Sequence, residues 1–278
     1  MPDAGVVERL RAAGCVFAEE EAELLTAAAA GPAELDAMVE RRAGGLPLEH
    51  VVGWAEFGGL RIEVDPGVFV PRRRTEFLVG RAVSLARPGA VCVDLCCGSG
   101  AAGTVLLASV PGARVYASDI EPAAVRCARR NVEPRGGTVY EGDLFAPLPE
   151  GLRGRIEVLV ANVPYVPSED VALLPPEARD HEPLVALDGG ADGLDVLRRV
   201  AAEAAEWLSP GGHLLVETSE RQTRPAVAAV TAHGLTARIL EDEELYATVL
   251  VATRPPAEDG RGPLSVPSGT LPPWTHPR

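Results

Sequence analysis

"VCVDLCCGSGAAG", residues 91–103, is the stretch on which the fold turns. Its first five residues read as a buried strand, and Gly98, Gly100 and Gly103 then follow in the spacing G-x-G-x-x-G. The apolar run from 100 to 110 continues as a helix. Glycine lets a backbone turn tightly and pass close to a ligand, and a helix N-terminus offers free N–H groups. Such a strand–turn–helix unit predicts a cofactor cleft, but the spacing alone does not say for which cofactor.

Outward from this unit, strands and helices alternate from 90 to 254. "AVCVDL", "ARVYASD", "GTVYEGD", "IEVLVAN" and "GHLLVET" read as strands, separated by helices such as "PAAVRCARRNV" and "GLDVLRRVAAEAAEWL". That alternation predicts an α/β, doubly wound and mainly parallel sheet with ligands at the carboxyl ends of its strands. The last two strands, "TARILED" and "LYATVLVATR", have no helix between them, which predicts an antiparallel pair at one edge. Residues 1–46 read as a small helical domain, with apolar positions three and four apart and Gly-rich stops. Residues 47–89 hold a β-hairpin turning at Gly58-Gly59 and a helix from about 74 to 87. The tail, 255–278, is rich in Pro, Gly and Ser and is expected to be unstructured.

Composition narrows the chemistry. The net charge of −14 argues against nonspecific binding to nucleic acid, which depends on neutralising phosphates. All 26 basic residues are arginine. Without lysine there is no Walker-type P-loop, Schiff base or lysine general base. Residues 1–50 carry ten acids against four arginines, the pattern of a solvated helical face. The cysteines, Cys15, Cys92, Cys96, Cys97 and Cys127, show no zinc spacing and read as small buried fillers, so no metal is expected. No apolar run reaches the roughly 18 residues of a membrane span, and the N-terminus lacks a signal-peptide pattern. A cytoplasmic protein is expected.

Carboxylates at three successive strand ends choose among the cofactors. Asp119 follows Gly100 by nineteen residues, where it can accept from ribose hydroxyls; capping the helix "EPAAV" is the alternative. Asp94, at the strand end before the glycines, would face the pyrophosphate of a dinucleotide unfavourably. It suits the ammonium or sulfonium end of S-adenosylmethionine instead. Asp143, in "EGDLF", is placed to accept from an adenine amino group. Cys96, Ile120 and Leu144 flank these acids and, with Gly98, Gly100 and Asn162, complete the candidate cofactor set.

The fourth strand of the series ends in Asn162-Val163-Pro164-Tyr165. In the strand order expected for such a sheet it lies beside the first, so its tip faces the methyl donor. The side-chain carbonyl of Asn162 and the backbone carbonyl of Val163 can each accept one N–H of an NH₂ group, and Tyr165 can pack against its plane. A turn in which Asn162 bonds to its own loop is the alternative. Here the chain resembles the HemK/PrmC family of protein-(glutamine-N5) methyltransferases. The resemblance rests on "PLEHVVGWAEFGGLRIEVDPGVFVPRRRTE", "DLCCGSGAAG", "GDLF", "NVPYVP", "HEPLVALDGGADGLDVLRRV" and "LSPGGHLLVE", between about 46 and 220. It implies a class I S-adenosylmethionine methyltransferase fold with a seven-stranded sheet. It also implies N-methyl transfer to a glutamine of a protein, a release factor among the candidates, gripped by the N-terminal helices.

The chain departs from the family pattern at several points. Val163 stands where the signature usually has proline, and Arg73 and Arg74 replace a proline and an acid in "PRRRTE". The N-terminal part is short, and the usual Gly-Arg-Asp-Arg ending of the last strands is missing. These changes keep open the same transfer to a small molecule, peptide or nucleobase, or a binding module without catalysis. His181 is expected to brace a loop. Glu217 ends another strand, where a core-edge hydrogen bond and a substrate contact are equally compatible.

Overall fold

The computed structural model describes residues 3–256, so the expectation for the tail from 257 onward lies outside the described residues. The chain opens with four helices, α1 (Ala4–Ala12), α2 (Ala18–Ala28), α3 (Pro32–Ala43) and α4 (Leu48–Val52). They enclose a core of Val6, Leu10, Ala22, Leu25, Met38 and Val39. Arg42 crosses this core, donating to both carboxylate oxygens of Glu21 at 2.6 and 3.1 Å. A hairpin of β1 (Trp54–Phe57) and β2 (Leu60–Glu63) follows. Phe57 pairs with Leu60, leaving the two-residue turn Gly58-Gly59 with φ of 58° and 73°. Positive φ at both positions is what a tight hairpin demands and what glycine supplies.

After α5 (Thr75–Leu85) come β3 (Val91–Leu95), α6 (Ala101–Ser109), β4 (Arg114–Asp119), α7 (Pro122–Val132), β5 (Thr138–Glu141) and β6 (Ile156–Ala161). Then follow α8 (Pro176–His181), α9 (Asp195–Trp207), β7 (Leu208–Thr218), α10 (Thr223–Thr231), β8 (Thr236–Asp242) and β9 (Ala247–Thr253). Seven strands form one sheet in the order β5-β4-β3-β6-β7-β9-β8. All pairings are parallel except those of β9, which runs antiparallel to both β7 and β8. The antiparallel edge pair read from the sequence is thus present. So is the adjacency of β6 to β3.

Burial on both faces explains the continuous apolar strands. Along β3, Val91, Val93 and Leu95 meet the core built with α9, including Leu197, Val200 and Trp207. Cys92, on the opposite face, joins Leu78, Val79, Val105 and Leu106 of α5 and α6. The order reverses between β3 and β6, so the crevice of this sheet opens above their carboxyl ends.

Candidate active site

A cavity of about 470 Å³ lies over these strand ends. Its wall includes Asp94, Cys96, Gly98, Asp119, Ile120, Asp143 and Leu144 on one side, and Asn162, Val163, Pro164 and Tyr165 on another. Gly100 is not part of the lining. Its φ is +75°, and a Cβ there would stand 2.7 Å from Val132 Cγ2 and 3.1 Å from Ala128 Cβ. Gly100 therefore lets α6 start against α7, and it reaches a cofactor only through the turn it shapes.

The acids at the strand ends hold the glycine turn. Asp94 is 2% exposed and its Oδ2 accepts from the Gly103 N–H at 2.8 Å. Burial pushes its carboxyl up to about 7, and the nearby Asp119 adds to the rise against the opposing Gly103 hydrogen bond. Asp119 accepts from the Gly98 N–H at 2.8 Å and, with its other oxygen, from Glu121 N–H at 2.9 Å. It is not the N-cap of α7, which is Glu121; its two bonds hold the glycine turn and the start of the loop into α7. A carboxylate has about four acceptor sites, so both oxygens keep capacity for ribose hydroxyls. Burial raises the Asp119 carboxyl too. Asp143 pairs with Arg199 of α9, a cavity residue that nothing in the local sequence marked. Cys96 and Leu144 hold left-handed conformations, φ 53° and 48°, that non-glycine residues rarely adopt. Both lie in the cavity wall.

The Asn162 corner is held by residues far away in sequence. Val166 N–H donates to Leu187 O at 3.1 Å and Gly189 N–H donates to Val166 O at 2.8 Å. Gln222 Nε2 donates to Tyr165 O and Asp192 O, both at 2.9 Å. A Cβ on Gly193, whose φ is +76°, would fall 2.2 Å from Tyr165 O. The glycines of "DGGADG" thus let this loop clasp the corner from behind. Within the corner, Asn162 Oδ1 is buried and has no hydrogen-bond partner among the described residues. Leaving a buried acceptor unpaired costs about 1–3 kcal/mol, and the residue that carries it lines the cavity.

Beside the corner, Tyr165 Oη donates to Glu217 Oε1 at 2.8 Å, and Arg74 Nε donates to the same oxygen at 2.8 Å. Burial, with the Glu217 charge next, raises the Tyr165 phenol well above its ordinary range. Arg72 pairs with buried Glu182, which also accepts from Val70 N–H at 3.1 Å. Arg73 is exposed. His181 lies outside the cavity lining, near Gly45 in the link between α3 and α4.

S-adenosylmethionine fits the chemistry of this lining: acids at three strand ends, a glycine turn between them, and in Asp94 a buried carboxylate that a cation would ionise. The family model described as "Methyltransferase small domain" matches residues 59–173. Several curated relatives named release factor glutamine methyltransferase are 34–41% identical over most of the chain. That of Mycolicibacterium smegmatis is 41% identical over 244 residues, 81% of this chain and 86% of the relative. A relative from Streptomyces pristinaespiralis is named 4-amino-L-phenylalanine/4-methylamino-L-phenylalanine methyltransferase. It is 38% identical over 203 residues, 70% of this chain and 69% of its own. Among solved structures, a methyltransferase from Pyrococcus furiosus superposes with a TM-score of 0.54 at 18% identity, over 71% of this chain and 90% of that one. This last likeness concerns the fold alone.

Proposed function

From the premise that this chain belongs to the release factor glutamine methyltransferase family, we propose that it methylates a glutamine side-chain amide of a protein, with S-adenosylmethionine as donor and a release factor as acceptor. The observation that carries the reading is the buried, unpartnered Asn162 Oδ1 at the cavity wall. Bound S-adenosylmethionine supplies an electrophilic methyl group on a sulfonium.

The chain's own residues do the rest. Asn162 Oδ1 and the Val163 carbonyl each accept one N–H of the substrate amide, which turns the nitrogen lone pair toward the cofactor end of the cavity. An amide nitrogen is a poor nucleophile, so positioning is the main source of rate, worth up to about 7–11 kcal/mol. Asp94 compensates the cationic end of the cofactor, Asp119 takes the ribose, and Asp143 takes the adenine amine in exchange with Arg199. Cys96, Gly98, Ile120 and Leu144 shape the cofactor half. Helices in 1–46 grip the protein substrate, 47–89 joins them to the transferase part at 90–254, and the reaction is cytoplasmic. No nucleic-acid partner is needed, consistent with the net charge of −14.

The deciding experiment incubates the protein with isotopically labelled cofactor and recombinant release factors, with Asn162→Ala alongside, and maps the label by mass spectrometry. Label on one glutamine, lost in the variant, is the expected result; no transfer to any release factor removes this acceptor. A second reading, transfer to a small-molecule amine, draws on the Streptomyces pristinaespiralis relative. It predicts labelled small molecules in place of labelled protein.

A further inference from the structure

Glu217, the residue before the end of β7, has its side chain only 3% exposed, yet three donors from two distant parts of the chain, the adjacent Arg74 and Thr75 and the corner residue Tyr165, converge on it. Tyr165 Oη reaches Oε1 at 2.8 Å, Arg74 Nε reaches Oε1 at 2.8 Å, and Thr75 Oγ1 reaches Oε2 at 2.7 Å. The Arg74 guanidinium also lies 5.8 Å from the centroid of the Tyr165 ring. A buried carboxylate is costly unless its lone pairs are filled, and here each bond also fixes its donor.

The clasp behind the corner holds only the backbone of Tyr165, through its carbonyl. Ring rotation about χ1 and χ2 is left to other restraints. Glu217 provides one, because a phenol anchored at its far end cannot swing out of the cavity wall. Arg74 stands beside it at the border with a second, acid-lined cleft that shares Arg74, Tyr165 and Glu217 with the first.

We infer that Glu217 is a positioning residue for methyl transfer: it tethers the Tyr165 phenol, with Arg74 and Thr75 as co-donors, and so sets the wall against which the acceptor amide lies. The inference rests on the reaction proposed above. Glu217 acts through Tyr165 and exchanges no proton with substrate. Displacing a wall of the site by about 1 Å costs on the order of 100-fold in rate.

The test is a double-mutant cycle on kcat with Glu217→Gln, Tyr165→Phe and the pair. Each single variant is expected to lower kcat between about 10- and 100-fold, with the KM for S-adenosylmethionine unchanged. The double variant should fall less than about threefold below the weaker single one, because both remove the same tether. Multiplying losses, or a single variant with unaltered kcat, overturn the inference. If Glu217→Gln does not fold, Tyr165→Phe alone carries the kinetic arm, and unchanged kcat overturns it. A second readout needs no acceptor. The chain has four tyrosines, so ring-labelled protein gives four resolvable signals, with Tyr165 assigned through its Phe variant. In Glu217→Gln or, should that fail to fold, Glu217→Ala, the Tyr165 signal should shift and broaden while the others stay. An unmoved signal overturns the tether even when the acceptor is unknown, and failure to find an acceptor leaves this arm intact.

Discussion

Asn162 presents an oxygen that the folded chain leaves unpaired, and the rate should depend on it. Asn162→Ala should lower kcat about 100-fold or more while the Kd for S-adenosylmethionine changes little, as read by single-turnover kinetics and calorimetry. Asp94 makes the opposite kind of prediction, on binding. Its carboxyl is pushed up to about 7, so below that pH it is neutral and offers a cation little, and above it the anion is available. Affinity for S-adenosylmethionine should therefore rise between pH 6 and 8, and Asp94→Asn should flatten the profile. In the cofactor-free protein the sign reverses. The stability contribution of this group is full below the unfolded value near 4 and is lost as pH rises through about 7, so the thermal shift produced by cofactor should be larger at pH 8. That Asp94, Asp119 and Asn162 share one cavity wall was legible, because strand ends and glycine turns mark them locally. Glu217, Gln222 and Arg199 were not assigned their roles, because the groups they hold lie 52, 57 and 56 residues away.

Turns and loops place these residues, and their glycines give the sharpest predictions. Gly100→Ala forces a Cβ at φ +75° against Val132 at 2.7 Å. Strain and overpacking together should cost about 2 kcal/mol or more, measured by urea unfolding. Gln222→Ala removes the two Nε2 bonds that join the corner, at Tyr165 O, to the loop behind it, at Asp192 O. It should lower kcat about tenfold with cofactor Kd unchanged, because the glycine turn is untouched. The alternation of strands and helices, the hairpin at Gly58-Gly59 and the antiparallel last pair all followed from periodicity and turn chemistry. The short helices α4 and α8 did not stand out. Each has fewer than two turns, too few for an apolar stripe to repeat.

Arg42 ties the N-terminal helices to α8. Its side chain is 8% exposed, bonded to Glu21 and, through Nη1, to Glu177 of α8 at 2.6 Å. Removing one partner of a buried pair leaves an uncompensated charge, so Arg42→Ala should destabilise the helical part by about 3–5 kcal/mol. Hydrogen exchange should show α1–α3 opening while β3 and β6 stay protected. A change spread evenly over both parts would contradict this link. The acid-rich composition foretold solvated helices here, but not that one carboxylate of α2 is enclosed with an arginine of α3. Periodic patterns mark which face is buried and say nothing about a charge crossing it.

The placing of β9 between β7 and β8 has a consequence for biosynthesis. Translation delivers β8 before the strand it pairs with, so a nascent chain carries it with no ladder to join. Val249, Leu250, Val251 and Ala252, none of which shows surface in the finished protein, arrive after it and wedge in between. Ribosome-bound chains halted ahead of residue 247 should hence remain protease-sensitive along that flank, and the sheet should seal in a single late step once β9 clears the exit tunnel.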